Sequence, residues 1–125
     1  MYQLAVTVDD GESGVTEVVR GVDLLGSSAR QMYLQELFGF SHPAYGHVPL
    51  LVAPDGRRLS KRDKDLDLSV LRQTISAEAL IGTLAASAGL LPKPMPISAG
   101  ELAGEFSWEK LKKQDICLDA AGLGR

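Results

Sequence analysis

The sequence predicts an α/β fold, with a mixed α/β half followed by an all-helical half and a boundary near Gln73 to Ser76. Three observations carry that expectation. β-Branched apolar runs at Leu4-Ala5-Val6-Thr7-Val8, Val15 to Val19 and His47 to Ala53 suit a pleated, half-buried surface. Two patterns, Ser28-Ala29-Arg30-Gln31 and Ser98-Ala99-Gly100-Glu101, read as capping boxes that open helices. The stretch after Ser76 is a run of small and apolar residues suited to close helix packing, closed by a proline-rich connector.

In chain order, Leu4, Val6 and Val8 alternate between Tyr2 and Asp10, and that period alone predicts a strand. Asp9-Asp10-Gly11-Glu12-Ser13-Gly14 then reads as an acidic turn. Paired aspartates can hold a metal or serve acid–base chemistry, but Asp-Asp-Gly is turn chemistry first, so no metal ligand is assigned. Val15 to Val19 predicts a short buried strand running into Arg20-Gly21. An arginine there should meet an acid, because burying an unpaired charge is costly. Candidates are Glu17, Asp23, Asp9 or Asp10 within the chain, or an acidic ligand.

Ser28 as N-cap and Gln31 as its partner predict a helix whose stripe of Met32, Tyr33, Leu34, Leu37 and Phe38 faces a core, with Gly39 as the stop. His42 and His47 flank Pro43 without a third ligand at metal spacing, so His47 reads as a hydrogen-bonding residue at a pocket wall rather than a zinc ligand. After the strand-like His47 to Ala53 and the turn Pro54-Asp55-Gly56 comes Arg57-Arg58-Leu59-Ser60-Lys61-Arg62. Its cations and hydroxyl are donors suited to phosphate oxygens, on a loop at a strand end where α/β folds bind ligands. A solvated basic turn is the alternative. A short helix over Ser69 to Gln73, a second over Ala77 to Ala88 capped by Ser76, and a third from Ser98 to Gly104 follow. Phe106 and Trp108 read as core-filling anchors, and Ala120 to Arg125 as a frayed tail.

With 125 residues, 45% hydrophobic and 23% charged, the chain suffices for one domain or a lobe of a larger one. A net charge of −3 argues against bulk affinity for nucleic acid, so any phosphate contact must come from a local patch. Cys117 is the only cysteine, which excludes an internal disulfide and a cysteine zinc cage and suggests a small buried hydrophobe near a helix end. The apolar stretch Ala79 to Leu91 is broken by Gly82, Thr83, Ser87 and Gly89 and is too short to span a bilayer. No basic head precedes an apolar core at Met1-Tyr2-Gln3-Leu4, so a cytoplasmic protein without membrane contact is expected.

Taken together, Tyr2-Gln3-Leu4-Ala5-Val6, Val8-Asp9-Asp10, Gly14 to Gly21, Asp23-Leu24-Leu25, Arg30-Gln31, His47-Val48-Pro49-Leu50, Asp55-Gly56 and Leu59-Ser60-Lys61-Arg62 resemble the class I glutamyl-tRNA synthetases. The last group is similar to the Lys-Met-Ser-Lys-Ser (KMSKS) signature, with Arg58 in the leading lysine place and Leu59 in the methionine place. Within the family the chain looks closer to the shorter paralogues that charge queuosine in tRNA(Asp).

The resemblance implies the second half of a Rossmann-like nucleotide-binding fold over residues 1–74, followed by a small all-helical, stem-contact-like region over 75–125. It also implies a helix, not a strand, for the segment that begins at Tyr2. The implied activity is ATP- and Mg2+-dependent formation of glutamyl-adenylate, then transfer to tRNA, at its terminal adenosine or at queuosine. Tyr2 and Arg20 would hold glutamate. Arg58, Leu59, Ser60, Lys61 and Arg62 would form the ATP loop, with Lys61 the catalytic cation. No His-Ile-Gly-His-like motif occurs, so the chain looks like the C-terminal part of a synthetase, inactive without its N-terminal half. An apolar face left for that half could also support a homodimer. A non-catalytic RNA- or partner-binding remnant is the other reading.

Overall fold

The computed structural model describes residues 2–59 and 68–118. It contains α1 (Tyr2–Glu12), β1 (Glu17–Gly21), a 3-10 turn (Val22–Leu24), α2 (Leu25–Phe38), β2 (Ala44–Val48), β3 (Leu51–Val52), α3 (Leu68–Leu71), α4 (Ala77–Ser87), α5 (Ala99–Glu105) and β4 (Ile116–Cys117). Two units are internally compact, Met1–Val48 and Pro49–Arg125.

In the first unit β1 and β2 pair in parallel, with Glu17 opposite Ala44 and Arg20 opposite His47. Parallel neighbours need a crossover, and α2 supplies it. Helix α1 packs on α2. The alternation of Leu4, Val6 and Val8 is therefore not a strand; the helix implied by the family resemblance is what forms. Tertiary contacts override the β-propensity of these residues. Thr7 turns its hydroxyl back to donate to the Gln3 carbonyl at 2.8 Å and is buried, while Gln3 reaches α2 through Ser27 and Gln31. Asp9, Asp10, Gly11 and Glu12 belong to this helix rather than to a turn.

Helix α2 departs from expectation in two ways. It begins at Leu25 with Leu24 as a cap that makes no side-chain bond, so Ser28 and Gln31 are interior helical residues and not a capping box. Apart from the half-buried Leu34, the apolar residues of its predicted stripe also face outward. Tyr33 and Leu37 are each 62% exposed, and Met32 and Phe38 are also exposed, whereas Ser28, Gln31 and Gln35 are buried. Residues 28, 31 and 35 lie on one helical face, and that face is the polar one. The predicted stop holds: Gly39 adopts φ 72°, and the Gly39 and Phe40 amides donate to the Glu36 and Gln35 carbonyls at 3.1 and 2.9 Å. Strand β1 is likewise not buried as expected, since Val19 is 61% exposed.

In the second unit Pro54, Asp55 and Gly56 form a tight turn. The Gly56 amide donates to the Ala53 carbonyl at 2.8 Å, and Gly56 has φ 81°. The chain returns as a hairpin, with the Ala53 amide donating to the Arg57 carbonyl at 2.7 Å and the Leu59 amide to the Leu51 carbonyl at 3.0 Å. Strand β3 pairs in parallel with β4, so the region expected to be all-helical adds a short strand to a sheet. Cys117 lies in that strand and is exposed, not a buried residue at a helix end. Its neighbours Ile116 and Leu118 are buried instead.

Both predicted caps in this unit form. Ser76 accepts from the Ala79 amide, and Ser98 and Glu101 make a complete capping box. Gly82 on α4 lies against the Met95 backbone, where a Cβ would collide with the Met95 carbonyl. This close approach seats the connector along the helix. Phe106 and Trp108 do not fill a core; both are exposed and meet edge to face at 5.2 Å. The expected frayed tail lies outside the described residues.

Candidate functional site

Strand period places Arg20 on the β1 face that α2 covers, with Tyr45 and His47 on the same face of β2. Arg20 Nη1 donates to Gln31 Oε1 at 2.7 Å and Nη2 donates to Ser28 Oγ at 2.8 Å. Its guanidinium carbon sits 5.0 Å from the centre of the Tyr45 ring, within range of a cation–π attraction. Ser28 Oγ lies 3.1 Å from His47 Nε2, and the Tyr45 and His47 rings stack with centroids 6.3 Å apart. Gln31 Nε2 donates to Gln3 Oε1 at 2.7 Å, and Gln3 Nε2 donates to Ser27 Oγ at 3.0 Å. Gln35 donates to the Tyr45 hydroxyl at 2.9 Å.

The network ties α1, β1, α2 and β2 to one cation. None of the described side chains that hold that cation is acidic, so of the two expectations the within-chain one, Glu17, Asp23, Asp9 or Asp10, does not form, and an acidic ligand is the one left. Two buried polar atoms in the network, Arg20 Nε and Gln35 Oε1, have no hydrogen-bond partner among the described residues. Buried polar groups are normally satisfied, so these two are exceptions. Among the described residues the arrangement suits reception of an anion: a guanidinium held at both terminal nitrogens, its charge uncompensated by a carboxylate.

Of the sequence candidates in this unit, Arg20 lies at the centre of the network and His47 makes the hydrogen bond expected of it. Tyr2 opens α1, is exposed, and makes no side-chain hydrogen bond among the described residues; its neighbour Gln3 enters the network instead. Sequence reasoning missed Gln3, Ser28, Gln31 and Tyr45 as contributors. The available signal was the spacing of Ser28, Gln31 and Gln35, a polar stripe as regular as the apolar one beside it.

Of the basic loop, Arg57, Arg58 and Leu59 are described. Arg58 bridges back to Val52, and Asp55 accepts from the Arg57 amide at 3.0 Å with its carboxylate 3.6 Å from Arg57 Nε. Ser60, Lys61 and Arg62 lie outside the described residues. Among the described residues no three His, Cys, Asp or Glu side chains gather as a metal site, and no helix is long and apolar enough to cross a membrane.

Residues 1–85 match the model of a family described as tRNA synthetases class I (E and Q), catalytic domain. The glutamyl-Q tRNA(Asp) synthetase of Symbiobacterium thermophilum is 42% identical over 95% of this chain and 37% of its own length. That of Nocardia farcinica is 44% identical over 98% of this chain and 38% of its own. The crystal structure of a glutamate tRNA ligase from Elizabethkingia meningosepticum in complex with its amino acid superposes with a TM-score of 0.77 at 26% identity, covering 98% of this chain and 28% of that one. The chain thus spans under two fifths of the length of these two curated relatives.

Proposed function

The chain belongs to the family of class I tRNA synthetases for glutamate and glutamine, and on that premise we propose that it is part of an ATP-dependent ligase that activates glutamate as glutamyl-adenylate and passes it to tRNA. The observation that carries this reading is the setting of Arg20, a cation held by Gln31 and Ser28 with Nε buried and unpartnered. A γ-carboxylate supplies the missing negative charge through a bidentate pair, and glutamine, its neutral isostere, does not. Likeness to the glutamyl-Q enzymes favours queuosine of tRNA(Asp) over the terminal adenosine as the acceptor. Tyr2, at the head of α1, would contact the polar groups of the amino acid.

ATP would lie against the loop of Arg58, Leu59, Ser60, Lys61 and Arg62. Arg58, exposed on the hairpin, is of the residue type that donates to a triphosphate. ATP supplies the phosphoanhydride whose cleavage activates the carboxylate, and Mg2+ would arrive on its phosphates rather than in a protein cage. Lys61 would stabilise the charge that builds on the phosphates. Within this reading residues 1–74 are the second half of the Rossmann-like catalytic domain, and residues 75–125 serve as a helical, stem-contact-like region. These are divisions of role; the compact units divide after Val48.

No His-Ile-Gly-His-like motif occurs in the 125 residues, so we propose that the isolated chain binds glutamate but needs the complementary part of a synthetase for catalysis. The exposed Tyr33, Leu37 and Phe38 fit a surface that such a partner, or a second copy, would cover. A cytoplasmic location follows from tRNA as substrate.

Calorimetric titration of the chain with glutamate and glutamine tests the carboxylate grip. Arg20→Met should weaken glutamate binding by about 2 to 4 kcal/mol; equal affinity in parent and variant would sink the reading. In the complete enzyme Lys61→Ala should slow glutamate-dependent pyrophosphate exchange by about two orders of magnitude.

A further inference from the structure

The hydrogen-bonded chain through the first unit has a direction, and Gln31 sets it. Arginine can only donate, so the Gln31 atom 2.7 Å from Arg20 Nη1 is the amide oxygen. The Gln31 nitrogen therefore faces Gln3 Oε1 at 2.7 Å, and the Gln3 nitrogen faces Ser27 Oγ at 3.0 Å. By the same reasoning Ser28 accepts from Nη2 at 2.8 Å, and its hydroxyl also lies 3.1 Å from His47 Nε2. Gln31 is only 1% exposed, so no water competes for its amide.

We propose that Gln31 is the positioning residue for Arg20. It fixes the guanidinium plane from within and, being neutral, leaves the positive charge for a ligand carboxylate. The inference rests on the reading of Arg20 as the grip for glutamate and adds the element that keeps this grip charged. A carboxylate at position 31 would satisfy Arg20 internally and repel the ligand. An apolar side chain of similar length would fill the space and release the guanidinium. Gln31→Glu and Gln31→Met therefore separate charge from position.

The test uses the full 125-residue chain, with two readouts on folded parent and variants. One is the nuclear magnetic resonance of the Arg20 side chain, assigned by its loss in Arg20→Lys; the other is calorimetric titration with glutamate. Pinned terminal nitrogens rotate slowly, so the parent should show separate Nη proton signals. Gln31→Met should average the Nη1 pair, while Ser28 still holds Nη2, and weaken glutamate binding on the order of tenfold. Gln31→Glu should keep them separate yet weaken glutamate on the order of a hundredfold. Should Gln31→Met fail to fold, Gln31→Asn, which retracts the amide by one methylene, takes its place. Separate Nη1 signals that persist in the released variant, or parental glutamate affinity in Gln31→Glu, overturn the proposal. If the parent binds no glutamate, the glutamate reading of Arg20 fails, and the rotation of the guanidinium alone decides whether Gln31 positions it.

Discussion

The two units bury opposite kinds of side chain. Apart from Pro43, the buried side chains described in the first unit are Thr7, Ser28, Gln31 and Gln35, all polar. In the second unit they are Ala53, Ala85, Ile116 and Leu118, all apolar. Burying amides and hydroxyls contributes little net stability even when every bond is made, whereas burying methyl groups stabilises directly. The second unit therefore has the interior of a region built to hold its shape. The first gives its interior to a held arginine and turns Tyr33, Leu37 and Phe38 outward, which is economical only if something else covers them.

The largest effect expected from breaking this contrast lies in the second unit. Gly82→Ala would normally stabilise a helix, but here the added methyl meets the Met95 carbonyl rather than open space. It should destabilise the unit by about 3 kcal/mol, read as a lower midpoint in urea. A midpoint at or above that of the parent would show that the connector does not press on α4.

A smaller effect is expected at the polar interior. Gln35→Leu removes a buried carbonyl oxygen that has no partner, but also strips the Tyr45 hydroxyl of its donor. The two changes oppose each other, so a net loss of about 1 kcal/mol is expected. A loss as large as that from Gly82→Ala would mean that this interior is as structural as the apolar one, and would break the comparison.

Acid should touch the second unit through its capping box. Hydrogen bonds from the Ser98 side chain and then from its backbone hold the Glu101 carboxyl below its usual range. A folded value below the unfolded one gives stability that is present above the unfolded value and lost as pH falls through the folded value. Ser98→Ala should therefore reduce the acid sensitivity of α5, measured as its amide signals between neutral pH and mild acid. Unchanged sensitivity would place the titrating group elsewhere.

What the sequence made legible follows the same divide only in part, since the Gly39 stop of the first unit forms while Cys117, Phe106 and Trp108 of the second are exposed against expectation. In the second unit Ser76, Ser98 with Glu101, and the turn at Pro54-Asp55-Gly56 announce themselves because caps and turns act over three or four residues. In the first unit local rules mislead. Leu4, Val6 and Val8 alternate like a strand within a helix, and Ser28 with Gln31 spells a capping box but reaches across to Arg20. The second failure arises because the partners of these side chains are remote in sequence: Gln31 meets Gln3, and Ser28 meets His47. Arg20 itself was legible because a charge at a strand end demands a partner wherever the chain finds one. The neutrality of the partners it found was not.

The smallest change in stability should come from the outward face of α2. Leu37 is exposed, so Leu37→Gln should leave the unfolding midpoint within about 0.5 kcal/mol of the parent. The same substitution should weaken any association that covers this face, because a buried leucine is worth roughly 2 kcal/mol more than an exposed one. Sedimentation of the chain alone, and with the complementary part of a synthetase, reads that second effect separately. A variant that unfolds early would show that Leu37 already packs within its own unit. One that associates as the parent does would show that the covering surface lies elsewhere, and the contrast between an interior given to charge and an exterior given to partners would then have to rest on Tyr33 and Phe38.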